Sequence, residues 1–273
     1  MIFIALFVLG LVLGSFVNAL VWRLHEQSRS KKKRSNVRLS VLKGRSMCTQ
    51  CGHELAAKDL VPVISWLWLR GRCRYCNKLI SVQYPLVELL TGLLFALMYV
   101  CWPLELVGAQ IVVFGFSLAY ITLFVALAVY DARWYLLPDK LVFSLVGLAI
   151  VGSVAMAVLE QDAWRYLVLP ALGAALLFGI FWGLYQFSRG EWLGGGDVKL
   201  VVALGLIAGS PLHAFLLLFF ASLLGTVVSI PLLLKGKAGM KRHIPFGPYL
   251  LASAVVVILF ASQIIDWYQG LFL

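Results

Sequence analysis

Charge is what this sequence has least of. Asp, Glu, Lys and Arg make up 13% of its 273 residues, where a soluble domain carries about 25%. With 62% hydrophobic residues, that scarcity excludes an ordinary water-soluble fold. Other absences exclude more. Met1 to Leu9 holds no Lys or Arg, so the first apolar run lacks the basic start of a cleaved signal peptide. It reads as a retained anchor with its N-terminus outside. No internal repeat pairs broken helices in the way transporters often do. No Ser or Cys is placed as a convincing nucleophile, and no glycine-rich strand-to-helix fingerprint marks a nucleotide-like pocket.

What is present is apolar. Runs near 2–21, 86–102, 109–130, 141–159, 165–187, 198–209, 213–234 and 248–266 predict an all-α polytopic membrane protein with about eight transmembrane helices. Of the 23 Lys and Arg, 14 lie in 23–83, two in 131–140, two in 188–199 and four in 235–246. Only Arg165 falls elsewhere, so 22 of 23 occupy loops after the first, third, fifth and seventh runs. By the positive-inside rule that face is cytoplasmic. The net charge of +11 is therefore mainly a topology signal. The run Lys31-Lys32-Lys33-Arg34 is assigned to anionic lipid headgroups and not to nucleic acid.

The expected division is a first helix at 1–22, a cytoplasmic segment at 23–83 and a helical membrane domain at 84–273. Within the segment, His25 to Arg45 is polar without helical periodicity and reads as a loop. Cys48-x2-Cys51, 21 residues, then Cys73-x2-Cys76 presents two pairs of thiolates, enough to close a tetrahedral zinc site. About 60 residues build little core alone, so a metal staple is physically sensible. A reducing cytoplasm argues against disulfides. Four cysteines complete the shell without His53. They also leave no open position for water, which makes the zinc structural and sets aside a zinc hydrolase. Cys101 is assigned to packing. Glu88, about one turn into the second run, is either a snorkelling acid or a structural or substrate contact.

Two acids stand at helix edges. Asp131 ends the third run, and Asp197 follows Gly194-Gly195-Gly196 at the start of the sixth. Acids there are costly without water or a partner, which makes them functional candidates. From Asp197 to Gly209 is 13 residues, roughly 20 Å of helix, against a hydrocarbon core of about 30 Å. Charge parity favours a crossing helix with Asp197 recessed in a wet cavity, and Gly194 to Gly196 permit close backbone approach at its mouth. If the carboxyls meet, they share a proton. One then takes a proton from water while the other polarises a carbonyl. Residue chemistry alone leaves both proteolysis and proton- or ion-coupled transport open.

The order of motifs resembles the type IV prepilin peptidases, bifunctional leader peptidase/N-methyltransferases, along nearly the whole length. The resemblance is carried by Gly14-Ser15-Phe16-Val17-Asn18 with Arg23-Leu24, the two cysteine pairs, and Leu60 to Trp66 with Leu69-Arg70-Gly71-Arg72 between them. It continues through Tyr84 to Thr91, Asp131…Pro138-Asp139, Gly194-Gly195-Gly196-Asp197-Val198-Lys199 and Ile244-Pro245-Phe246-Gly247-Pro248. Leu137 stands where the family often has isoleucine, and His25 where proline is common. The resemblance implies a GxGD aspartyl peptidase, similar in mechanism to presenilin-like proteases, with Asp131 and Asp197 catalytic. Asp139, Gly194, Gly196 and Lys199 are expected to support them. It further implies a bacterial inner-membrane enzyme that cleaves prepilins or pseudopilins after glycine at the cytoplasmic face. The new N-terminus is then methylated from S-adenosylmethionine, whose binding residues the sequence does not reveal.

Overall fold

The computed structural model describes residues 1–29, 40, 44–234 and 246–271, and of 231–234 the backbone only. The basic run at Lys31 to Arg34, the four cations from Lys235 to Arg242, and Ile244 and Pro245 lie outside the described residues. Among the described residues the regular elements are all helices, and the β-pairing is confined to two isolated bridges. An apolar run in a bilayer has no water for its backbone groups, so it closes its hydrogen bonds within itself. The chain forms two compact units, Met1–Cys101 and Trp102–Leu273.

The first unit pairs α1 (Ile2–Arg29) with α3 (Gln83–Val100) and carries the short α2 (Ile64–Trp68) between them in sequence. A Cβ on Gly10 would stand 2.7 Å from the Cα of Gly92, and one on Gly14 2.7 Å from the Cα of Glu88. The two backbones thus touch through small residues one turn apart, as membrane helices do when packing must replace the hydrophobic effect. The Asn18 side-chain amide adds a hydrogen bond to the Tyr84 carbonyl at 3.0 Å.

Of the stretch His25 to Arg45 expected as a loop, residues 25–29 are helical, because α1 continues through Arg29, and residues 30–39 and 41–43 lie outside the described residues. Arg23 is buried, and its guanidinium donates to the carbonyls of Ser40 at 3.2 Å and Gly44 at 3.0 Å. Those carbonyls are acceptors that a buried cation needs.

The second unit comprises α4 (Ala109–Trp134), α5 (Asp139–Leu159), α6 (Leu169–Phe187), α7 (Gly195–Ala208), α8 (Pro211–Leu234) and α9 (Gly247–Gly270). Across both units, seven described helical stretches are long and apolar enough to cross a membrane. The remaining apolar run is α7, whose 14 residues span roughly 21 Å. It packs on α5, α6, α8 and α9, and Leu200, Val201, Ala203 and Leu204 are wholly buried. A helix that is apolar all round belongs in an interior. Gly205 lies directly against the Ala174 backbone of α6, where a Cβ has no room. This central helix carries Asp197 in its first turn.

Candidate active site and metal centre

Asp131 occupies the last turn of α4 and is buried. The helix ends because Tyr135 turns into the left-handed region at φ 55°, its N–H returning to the Asp131 carbonyl at 2.8 Å. Leu136, Leu137 and Pro138 then lead into α5, with Pro138 extended before Asp139 starts the helix. Asp197 is third in α7, after Gly194 in extended conformation. Its N–H bonds the Gly194 carbonyl at 3.1 Å. The helix N-terminus, with its unpaired N–H groups, favours a negative side chain there.

The two motifs meet through their small residues. A Cβ on Gly196 would stand 3.1 Å from the Cβ of Leu137, so the loop after Asp131 rests directly on the glycine before Asp197. A Cβ on Gly194 would contact Asp197 Oδ2 at 3.5 Å. Of these glycines, Gly196 is the point of close approach, while the contact at Gly194 is an ordinary one.

A third element completes the arrangement. Gly247 opens α9, and a Cβ built on it would lie 2.6 Å from Asp131 Oδ2 and 3.6 Å from Asp197 Oδ1. Those two oxygens are therefore no further apart than the sum of the two lengths. Both carboxylates face one small space that Gly247 leaves open. In the sequence Gly247 stands within a motif and has no role of its own. The available signal was a glycine just before Pro248 at the head of an apolar run, where no turn demanded one. Beside the pair, Lys199 Nζ meets Asp139 Oδ1 at 2.7 Å, joining α7 to α5 across a surface where both side chains are about half exposed.

In the first unit, the Sγ atoms of Cys48, Cys51, Cys73 and Cys76 all lie within 4.8 Å of one another, Cys48 and Cys76 at 3.9 Å. Zinc–sulfur bonds of about 2.3 Å put tetrahedral sulfurs about 3.8 Å apart, so the four fit zinc. The halves are built alike. Cys48 N–H bonds the His53 carbonyl, and Cys73 N–H the Lys78 carbonyl, both at 2.9 Å. The bridges Met47 to Glu54 and Arg72 to Leu79 close the two turns. At the equivalent corners Gly52 has φ 72° and Asn77 φ 57°, as residues tolerant of the left-handed region. Burial alone would raise the Cys48 thiol, but donors from Cys51 and Gln50 and neighbouring thiols bring it down to about 7. Cys101 stands apart from this cluster, at the end of α3.

Between the cysteine pairs, Asp59 accepts from Arg74 Nε at 2.7 Å and Tyr75 OH at 3.0 Å, and the Tyr75 ring lies 3.7 Å from that of His53. Glu88 is buried in α3 and takes the Val63 N–H at 2.7 Å. Of the two readings the sequence left for it, the structural contact is the one the geometry favours.

Residues 8–102 match the model of the bacterial peptidase A24 N-terminal domain, and residues 118–230 that of the type IV leader peptidase family. A prepilin leader peptidase/N-methyltransferase of Aeromonas salmonicida is 33% identical over 97% of this chain and 93% of its own. The protein of that name from Dickeya chrysanthemi is 35% identical over 93% and 90%. The chain belongs to the type IV leader peptidase family. A relative from Stutzerimonas stutzeri with the same name is 34% identical over 94% and 90%. The leader peptidase match contains both aspartates and stops short of Gly247, while the N-terminal match contains the four cysteines and Glu88. No solved structure matches the chain.

Proposed function

We propose that this family member is a membrane aspartyl endopeptidase that removes the leader from prepilins or pseudopilins and then N-methylates the new terminus. The observation that carries it is the pair Asp131 and Asp197, facing one space from the ends of α4 and α7. Two carboxylates so placed repel each other when both are ionised, so the pair holds one proton between them. The ionised member accepts a proton from water as its oxygen attacks the scissile carbonyl. The protonated member donates to the carbonyl oxygen. Collapse of the tetrahedral diol breaks the C–N bond, and a proton delivered to nitrogen frees the amine. Gly247 keeps the space for the peptide open, and the Leu137–Gly196 contact holds the two helix ends in register. The ion pair of Lys199 with Asp139 supports that register from outside.

In the segment 23–83 the four cysteines hold structural zinc, with no vacant position for substrate water. S-adenosylmethionine, when bound, supplies the methyl group. Among the described residues no strand leads into a helix, so the nucleotide-binding turn of doubly wound folds is not the cradle here, and no residue is assigned to the donor. The charge distribution supports a reading with the N-terminus outside and the aspartates at the cytoplasmic face of the bacterial inner membrane. Nothing among the described residues or the named relatives favours ion-coupled transport. Incubating the purified protein with a prepilin tests the reading. The substrate is expected to lose the mass of its leader, and an intact substrate mass would contradict the proposal.

A further inference from the structure

Among the described residues, three apolar side chains of the short helix α2 stand largely exposed. In α2, Trp66 is turned inward: its indole N–H donates to the Ile80 carbonyl at 3.2 Å, and a Cβ on Gly71 would stand 2.9 Å from its ring. Ile64, Leu67 and Trp68 are 61%, 61% and 81% exposed. A segment stapled by metal beside polar turns gains nothing by showing isoleucine, leucine and tryptophan to water.

The depth of α2 is fixed independently. Its entry residue Val63 has φ 61°, a left-handed conformation that a β-branched residue adopts only under constraint. The Ile64 N–H donates to the Pro62 carbonyl and closes a tight turn around Val63, and beside that turn the Val63 N–H donates to Glu88 at 2.7 Å. Glu88 is the sixth residue of α3, roughly 8 Å along its axis, and helical side chains lean back toward the helix start. That contact therefore sits at the level of the first turn. With 18 residues, α3 spans about 27 Å, and a hydrocarbon core needs about 30 Å. The helix has no length to spare, so its first turn lies at the bilayer boundary, and α2 lies there with it. Exposed Arg70 and Arg72 follow immediately.

We propose that α2 is a lipid-docking hook. Ile64, Leu67 and Trp68 enter the headgroup–acyl boundary of the leaflet on the metal module's side, and Arg70 and Arg72 meet anionic headgroups. Tryptophan favours this boundary, apolar area buried there supplies the affinity, and each cation near an anionic surface adds to it. The strained turn at Val63 and the Glu88 brace aim the hook. This goes beyond the peptidase reading and does not depend on it.

The test places the photo-cross-linking residue p-benzoylphenylalanine at Trp68 in full-length, zinc-loaded protein, reconstituted in nanodiscs of phosphatidylglycerol and phosphatidylethanolamine. Leu93, exposed on α3, is the lipid-facing control, and the exposed Lys58 is the aqueous one. Retained zinc reports that each variant folds, and Leu67 is the alternative position if the first fails that check. Lipid adducts at 68 comparable with those at 93 and absent at 58 are the expected result. Replacing the anionic lipid by phosphatidylcholine should lower the yield at 68 and leave that at 93 unchanged. Cross-links from 68 to another segment of the chain or to an added prepilin, without lipid adducts, would overturn the hook. An equal yield at 68 in both lipids would overturn its anionic preference.

Discussion

The metal centre and the aspartate pair are two ways of bringing reactive side chains together. All four sulfur ligands fall within 29 residues, on two turns of the same construction, with bridges seven residues apart in each. Each turn places its two thiols by local geometry, and a bound ion would supply the long-range order. The aspartates have no such device. Asp131 comes from the end of one helix and Asp197 from the start of another, 66 residues on, and Gly247 lies a further 50 residues along. Their meeting depends on helix packing, through contacts such as Leu137 on Gly196 and Gly205 on Ala174. A chelate site is written in spacing, whereas a packed site is written in where small residues fall.

Breaking the metal centre should give the largest change. Structural zinc contributes roughly 10–16 kcal/mol in peptide hosts. Cys48→Ser or Cys76→Ser should therefore release zinc and unfold the segment between the membrane helices, read by metal analysis and hydrogen exchange. Methylation should suffer before cleavage, because the aspartates are held by the other compact unit. Reduced, carefully purified protein without zinc would remove the metal from the account.

Gly247→Ala should do the reverse. A methyl group there stands 2.6 Å from a carboxylate oxygen, so Asp131 must move, and displacements of about 1 Å at a reacting centre cost about a hundredfold. The loss should appear in kcat, with zinc content and methylation of a pre-cleaved substrate unchanged. Wild-type kcat would show that the space is not where the peptide bond sits.

Asp139→Asn is milder. Its partner Lys199 and Asp139 itself are both about half exposed, and such pairs are worth at most about 1 kcal/mol. Cleavage should fall no more than about fivefold, a bound that steady-state rates will check.

Asp59→Asn acts on stability alone and least. Burial would raise this carboxyl, but hydrogen bonds from Arg74 and Tyr75 and the charge of Arg74 bring it below its ordinary value. A depressed carboxyl stabilises above its unfolded pKa and loses that contribution as pH falls through the folded one. The variant should lose about 1 kcal/mol at neutral pH, read as faster exchange at the Ala56 amide, which donates to the Asp59 carboxylate at 3.3 Å. The difference should close below about pH 4.

Most of the architecture was legible because apolar length is the strongest signal a membrane chain carries. The expected runs correspond to α1 and α3 through α9, with ends displaced by a few residues. The helical continuation of α1 through Arg29 was not legible, since its last residues are polar and carry no apolar periodicity. The cysteine cluster was readable from spacing alone. For the aspartates, sequence chemistry named two acids at helix edges, but their closeness had to come from packing, and motif resemblance pointed where spacing was silent. Gly247 and the Val63–Glu88 brace were missed. A residue's absence of side chain, or a strained turn, has meaning only once its neighbours are known.

The most direct test of the central claim is leader cleavage by Asp131→Asn and Asp197→Asn measured separately against wild type, in an assay free of other peptidases. An amide can neither take the water's proton nor share the pair's, while its shape is nearly unchanged. Each variant should insert, retain zinc, and methylate a pre-cleaved substrate if the two activities use separate sites, yet release no leader. Full cleavage by either one at normal expression would contradict the pair.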